Sequence, residues 1–454
     1  MRAAGDSTRE IADLVLHGGV VRTMTEQNPA ATAIALRGGR IAAIGTDREV
    51  LALAGPATGT IDLAGRAVLP GINDAHLHAT WLGALWPRTL FGSGGGDPRN
   101  PLRTNEERRA AILRAGELLA SLGITSYTEP GLGPGEDAGP TGAFGSPVVA
   151  QYRELAAEGM LKARVTVLSL YGELDGRSSL PDVLAGLEAD RSSADPRWLR
   201  FAGVKIFADG IPPMRSACTK CGYADGSSAG LLVDGVDDAD REHNLTRMIV
   251  AAHRAGLQVG VHATGDRSIE VVLNAVELAG VGHGADLGHY VIHGDMASSE
   301  QLRRMADLGV GLDVQPGIAL CTSEQVDAVL GPGAAAESWR LGEALEFGVR
   351  MCITSDAPVL SPDWRRQIAA ADEWLGPAED PRQRAAQLLR CCTVEPARQD
   401  GAASWKGTLA PGMAADLCVL AADPLAVAPA ELPEVDIDLT VVDGRIVHDR
   451  TGIG

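Results

Sequence analysis

The stretch Val68–Leu69–Pro70–Gly71–Ile72–Asn73–Asp74–Ala75–His76–Leu77–His78 constrains the fold most. It is a short apolar run, strand-like over Val68–Ala75, that ends in two histidines one residue apart. Alternate residues of a strand face the same side, so His76 and His78 project together, about 7 Å apart by the strand rise. Two imidazoles at that separation can converge on one metal ion. The bland alternative is two of ten histidines meeting by chance at a strand end.

A chain of 454 residues exceeds the size at which one core keeps growing, so two domains or a barrel with an appendage is expected. Hydrophobic residues reach 45% while aromatics are only 4%, which makes that core aliphatic. The net charge of −19 argues against nucleic acid or an anionic membrane as partner. It leaves the charge of a substrate open, because a bound metal inverts the local field. Seven cysteines, odd in number and without framework spacing, suit a reducing compartment. Cys218-x-x-Cys221 lacks a second pair at zinc spacing, and Cys391–Cys392 reads as packing in an apolar stretch. The opening Met1–Asp6 has no apolar signal core, and no apolar run reaches spanning length. A cytoplasmic, soluble protein is the expectation.

Residues 12–66 read as short strands broken by tight turns, with Gly18–Gly19 and Gly38–Gly39 as hairpin signals. The same texture returns at Ala415–Leu420, Leu439–Val442 and, after Asp443–Gly444, at Arg445–Val447. Both ends therefore build one small β-sandwich domain, 10–66 plus 401–454, with a second domain over 67–400. Within the latter, strand-like and helix-like stretches alternate, the pattern of a parallel α/β fold. Eight strand candidates follow: Val68–Ala75, Ile124–Thr128, Arg164–Leu170, Phe201–Phe207, Gln258–Val261, Tyr290–Ile292, Val310–Val314 and Arg350–Thr354. They predict an α/β fold, a (β/α)8 TIM-like barrel; an open doubly wound sheet is the runner-up, without a Gly-x-Gly-x-x-Gly turn to support it.

In such a barrel the chemistry lies at the carboxyl ends of the strands. There the sequence places His76 and His78, Lys205 inside an apolar run, His262, His293 and Asp356. A core histidine bonded to backbone is the default for any one of them. The whole set at strand ends points to metal ligands. Imidazole and carboxylate suit zinc first, with manganese, iron or nickel as alternatives.

The motifs Pro-Gly-x-x-Asp-x-His-x-His at 70–78, Val-Lys-Ile-Phe-Ala-Asp-Gly at 204–210 and Val-His-Ala-Thr-Gly-Asp-Arg at 261–267 carry a resemblance. His293–Gly294–Asp295, Val314–Gln315–Pro316, Ser355–Asp356–Ala357–Pro358 and the segment from Gly407 to Leu417 extend it. Together they resemble the metal-dependent amidohydrolase superfamily, in the branch of N-substituted formamide deformylases. The resemblance implies that His76, His78 and Asp356 bind one divalent ion, that His262 and His293 bind a second, and that a carboxylated Lys205 bridges them. An ammonium beside two cations would be repelled, whereas a lysine carbamate is an anionic oxygen donor. Otherwise Lys205 is ordinary, and one ion is held by His76, His78, His262 and Asp356 with His293 near the substrate.

The implied reaction is hydrolysis of a non-peptide carbon–nitrogen bond in a small molecule, an amide, N-substituted formamide or cyclic amide. A metal-activated hydroxide attacks, and Asp356 acts as general base and then general acid. The loop after the fourth strand brings Arg215 and Tyr223 to the pocket or leaves them in solvent. Trp81 is a wall candidate. Glu129 is a pocket residue or a helix anchor, and Gln315 a pocket residue at the end of the seventh strand. Asp74 lies behind the histidines, bonded to backbone or to a ligand imidazole. Ile292 stands where many relatives carry glutamate, and Gly92–Pro98 reads as a lid-like loop. His283 and His289 are expected in loop or packing roles, His243 and His253 in solvent, His17 and His448 at the surface. Rival readings are a one-metal deaminase, an ester or lactone hydrolase, and a non-catalytic scaffold. A homo-oligomer is admitted as a partner state.

Overall fold

The computed structural model describes residues 11–27, 31–91, 102–280 and 287–454. The lid-like loop at Gly92–Pro98, His283 and Met1–Asp6 lie outside them. Eight parallel strands follow one another in chain order around a barrel: β1 (Ile72–Asp74), β2 (Ile124–Leu132), β3 (Arg164–Leu170), β4 (Leu199–Phe207), β5 (Gln258–Ala263), β6 (Tyr290–His293), β7 (Gly311–Val314) and β8 (Met351–Ile353). Their near-continuous burial is that of strands covered on both faces. Capped helices lie between them. Asn105–Ser121 starts at a reciprocal Thr104–Glu107 cap, and Ser299–Leu308 starts at a Ser298–Gln301 cap and stops at left-handed Gly309.

The barrel closes beyond the ends of β1 and β8. Asp356 donates its N–H to the His76 carbonyl at 2.9 Å, and His78 donates to the Ala357 carbonyl at 2.7 Å. Asp74 Oδ1 accepts from the N–H groups of both His76 and Ser355, each at 3.2 Å.

Both chain ends contribute to two further sheets. One runs Arg40–Gly45, Ala33–Arg37, Leu14–His17, Gly59–Asp62; the other runs Arg445–Asp449, Ile437–Val442, Leu417–Leu420, Ala67–Pro70, Val20–Val21. Leu16, Ile34 and Leu36 of the first pack with Val68, Leu417 and Leu439 of the second in one apolar cluster.

Two expectations change. The strand expected over Val68–Ala75 is two: Ala67–Pro70 pairs antiparallel with Leu417–Leu420, and the barrel begins only at Ile72. Gly71, between them, faces Thr125 so closely that a Cβ would meet its Oγ1 at 2.0 Å, so a glycine marks the crossing. Gly18–Gly19 is not a hairpin either. Leu14–His17 pairs with Ala33–Arg37 and Gly59–Asp62, whereas Val20–Val21 pairs with Ala67–Pro70, so the two glycines carry the chain from one sheet to the other. Gly38–Gly39 and Asp443–Gly444 do turn hairpins, with positive φ at all four residues.

Arg164, the first residue of β3, ties barrel to terminal sheets. Its Nε and Nη2 bond the Asp416 carboxylate at 2.7 and 3.0 Å, and Nη2 also reaches Asp443 at 3.0 Å. The guanidinium lies over the rings of Trp198 and Trp405. Arg164→Ala strands the buried Asp416 charge and lowers unfolding stability by about 3–5 kcal/mol, measured by urea denaturation.

Candidate active site

The bend after β1 turns His76 and His78 toward the barrel axis. Neither lies in a strand; His78 instead caps the helix Ala79–Leu85. Their rings stand 5.3 Å apart, edge to face, closer than strand alternation predicts. The β1–β8 contacts bring Asp356 between them: its Oδ1 is 3.2 Å from His76 Nε2 and 3.5 Å from His78 Nε2. Asp356 adopts a left-handed backbone, φ +53°, which aspartate tolerates and most residues do not. His293, at the end of β6, is likewise left-handed at φ +73°. Its ring is 5.5 Å from that of His76 and 4.5 Å from that of His262 on β5. All line a cavity of about 220 Å³, and Lys205, 2% exposed, lines it from β4 with its Nζ over the Phe207 ring.

Hydrogen bonds set which ring nitrogen each histidine offers. Gln315 Nε2 donates to Thr354 Oγ1 at 2.7 Å, so Gln315 Oε1 accepts from His293 Nδ1 at 2.7 Å and leaves the lone pair on Nε2. The Gly210 carbonyl accepts from His262 Nε2 at 3.1 Å and leaves the lone pair on Nδ1. The buried Nδ1 atoms of His76 and His78 have no hydrogen-bond partner among the described residues. Burial lowers the imidazoles of His76 to about 3, of His293 to about 4 and of His262 well below the usual value. These three are therefore neutral near pH 7, as metal binding requires. Burial raises the Asp356 carboxyl, but His76 and the other imidazoles outweigh it and hold it well below the usual carboxylate range. Burial also lowers the Lys205 amine to about 8.

Several residues expected at the pocket stand behind it. Gln315 is the partner of His293 and does not line the cavity. Glu129, fully buried in β2, accepts from the N–H of Ala79 at 2.8 Å and of Thr80 at 3.4 Å, and from the Tyr152 hydroxyl at 2.6 Å. It anchors the helix that follows His78. Arg215 pairs with Asp225 at 3.2 Å near the surface, and the Tyr223 hydroxyl is spent on the Ala217 carbonyl at 2.9 Å. From their loop, Ile211 and Pro213 reach the cavity instead. Trp81 does line it, edge-on to Phe144. Asp74 bonds backbone N–H groups, as above. His253, expected in solvent, is half-buried, and its Nδ1 lies 2.9 Å from Nε2 of the buried His289. Asp175, Asp295 and Phe207 are wall residues that the sequence reading did not single out, although Phe207 and Asp295 fall inside motifs it quoted.

A profile of the amidohydrolase family matches residues 88–448. The chain belongs to the amidohydrolase family. Amidohydrolases related to it include the N-substituted formamide deformylase of Arthrobacter pascens, 26% identical over 98% of this chain and 99% of that protein. The putative amidohydrolase YtcJ of Bacillus subtilis is 25% identical over 96% and 99%. Among solved structures, an uncharacterized metal-dependent hydrolase from Pyrococcus furiosus shares the fold, with a TM-score of 0.72 over 91% of this chain and 99% of that one at 21% identity. This amidohydrolase is thus an enzyme, a hydrolase of carbon–nitrogen bonds. Among the described residues, no helix is long and apolar enough to cross a membrane.

The donors fit a divalent metal. His76, His78 and Asp356 each offer one ligand atom, all within 4.8 Å of one another. Two imidazoles and an ionised carboxylate form the usual hydrolytic set.

Gln315→Leu removes the acceptor that holds the His293 ring, and metal affinity falls about 10- to 100-fold, measured by competition with a chelator. Glu129 supplies a pH test in the metal-free protein. Burial raises its carboxyl from 4.5 to about 7, so the folded state keeps a proton that the unfolded chain releases, and stability falls as pH rises from 4.5 to about 7. Glu129→Gln does not titrate, so its stability relative to wild type rises across that window in urea titrations.

Proposed function

We propose that this amidohydrolase cleaves a small-molecule amide, an N-substituted formamide or a cyclic amide, with Asp356 carrying the proton. The observation behind this reading is the meeting of an ionised Asp356 with His76 and His78 at a cavity that also holds Lys205, His262 and His293. A divalent ion held by His76, His78 and Asp356, with zinc favoured by the donor set, supplies Lewis acidity and a lowered pKa for water.

Asp356 is ionised before reaction and has a free acceptor role once water loses its proton. The new carbon–oxygen bond forms as that proton passes to Asp356. The carbon–nitrogen bond then breaks as Asp356 returns the proton to the departing nitrogen. The products are a carboxylic acid and an amine, or one amino acid chain from a cyclic amide. Phe207 and Trp81 narrow the space around the reacting carbonyl and limit water.

The roles of His262, His293 and Lys205 depend on the state of the lysine. With its amine lowered to about 8, a fraction of Lys205 is uncharged near neutrality and able to form a carbamate with carbon dioxide. Carboxylated, it joins His262 and His293 as a ligand set for a second ion. The one-ion form is the second reading. What supports it is that His76, His78 and Asp356 already bring three donor atoms within 4.8 Å of one another without the lysine. Metal analysis of purified protein, with and without added bicarbonate, separates the two.

A screen of formamides, other amides, lactams, hydantoins and esters against zinc-loaded protein tests the assignment. Asp356→Asn lowers kcat on the best substrate by about 10²- to 10⁴-fold, with zinc content measured alongside. Full activity in that variant ends the proposed role of Asp356.

A further inference from the structure

The wall of the cavity is divided. Trp81, Leu90, Phe91, Leu174, Ile211 and Ile318 give it a carbon surface, while Asp175 and Asp295 add carboxylates that the proton transfer does not use. Lys205 is the one lysine or arginine lining it among the described residues.

Asp175 is the more telling of the two acids. It lies in the turn after β3, and its carboxylate makes no hydrogen bond or ion pair among the described residues. The turn itself is fixed from several sides. Leu174 donates its N–H to Glu136 Oε1 at 2.7 Å, Gly176 to the Glu173 carbonyl at 3.2 Å, and Glu173 to the Arg177 carbonyl at 3.1 Å. Asp175 is held at φ +50°, a left-handed backbone at a position that is not glycine. Asp175 lines the cavity with its surface open to the water inside, and the surrounding protein and Asp356 raise its carboxyl while Lys205 and His78 lower it. Across the cavity, Asp295 has Oδ1 occupied by the Trp339 indole N–H at 2.9 Å.

We propose that Asp175 is a specificity residue that receives a positively charged nitrogen of the substrate, an ammonium or guanidinium joined through an apolar spacer to the scissile amide. The spacer lies on the carbon surface, and the cation meets a carboxylate that otherwise has no partner. Amides that carry a free carboxylate are disfavoured, because they would set like charges together at the cavity wall. The inference rests on the amide-hydrolase reading above and narrows its substrate class.

Two measurements test it on the zinc-loaded enzyme. The first compares three amides with one aryl-alkyl body, ending in ammonium, methyl or carboxylate. Wild type prefers them in that order by kcat/KM, and Asp175→Asn lowers the ammonium-to-methyl ratio about tenfold, the scale of one charge contact. An unchanged ratio overturns the proposal. The second needs no turnover: calorimetry with an aryl-alkyl trimethylammonium ion, which has no lone pair for a metal. Asp175→Asn weakens its binding about tenfold; equal binding to both proteins overturns the proposal. If no amide is cleaved while this difference in binding holds, the hydrolytic reading fails and the assignment of Asp175 stands.

Discussion

Everything at the site depends on how β1 and β8 are held together beyond their ends. The exchange between the His76 carbonyl and the Asp356 N–H, and between the His78 N–H and the Ala357 carbonyl, sets backbone to backbone at hydrogen-bond distance. The Asp74 carboxylate then bonds one N–H from each side. Three side chains separated by up to 280 residues of sequence thereby come to share a few ångströms. Their convergence is a product of backbone closure, and the left-handed φ of Asp356 follows from the same geometry.

The surroundings then fix the charge state. Burial makes His76, His262 and His293 poor bases, while the rings of His76, His78 and His293 keep Asp356 an anion. Hydrogen bonds choose the nitrogen: the oriented amide of Gln315 for His293, the Gly210 carbonyl for His262. Asp209 holds this last arrangement together by accepting from the N–H groups of Cys218, Thr264 and Gly265 and from the Ser268 hydroxyl. The loop after β4 is thus locked to the end of β5.

The barrel and its polar rim were legible because parallel strands leave apolar runs that stop in chemistry. His262, His293, Asp356 and Lys205 stand out against Val, Ile and Phe neighbours. Direction was less legible. Glu129 and Gln315 are polar strand-end residues like the others, yet one turns back to the start of a helix and the other to a histidine ring, a difference that only packing decides. Asp175 left no local pattern, because its orientation is set by a turn pinned to Glu136, which precedes it by 39 residues. The split of Val68–Ala75 was hidden for a similar reason: an apolar run does not announce that it changes sheets partway.

That change of sheets bears on how the protein is made. Ala67–Pro70 pairs early with Val20–Val21, but its other neighbour is Leu417–Leu420, so that second pairing waits until the chain has been made past residue 420. Long-range pairing of this kind slows folding. Only Gly71 separates that strand from β1, so the stretch leading into His76 and His78 gains this part of its support only after residue 420 is in place. The strand that leads into the catalytic pocket therefore leans on a partner about 350 residues away in sequence.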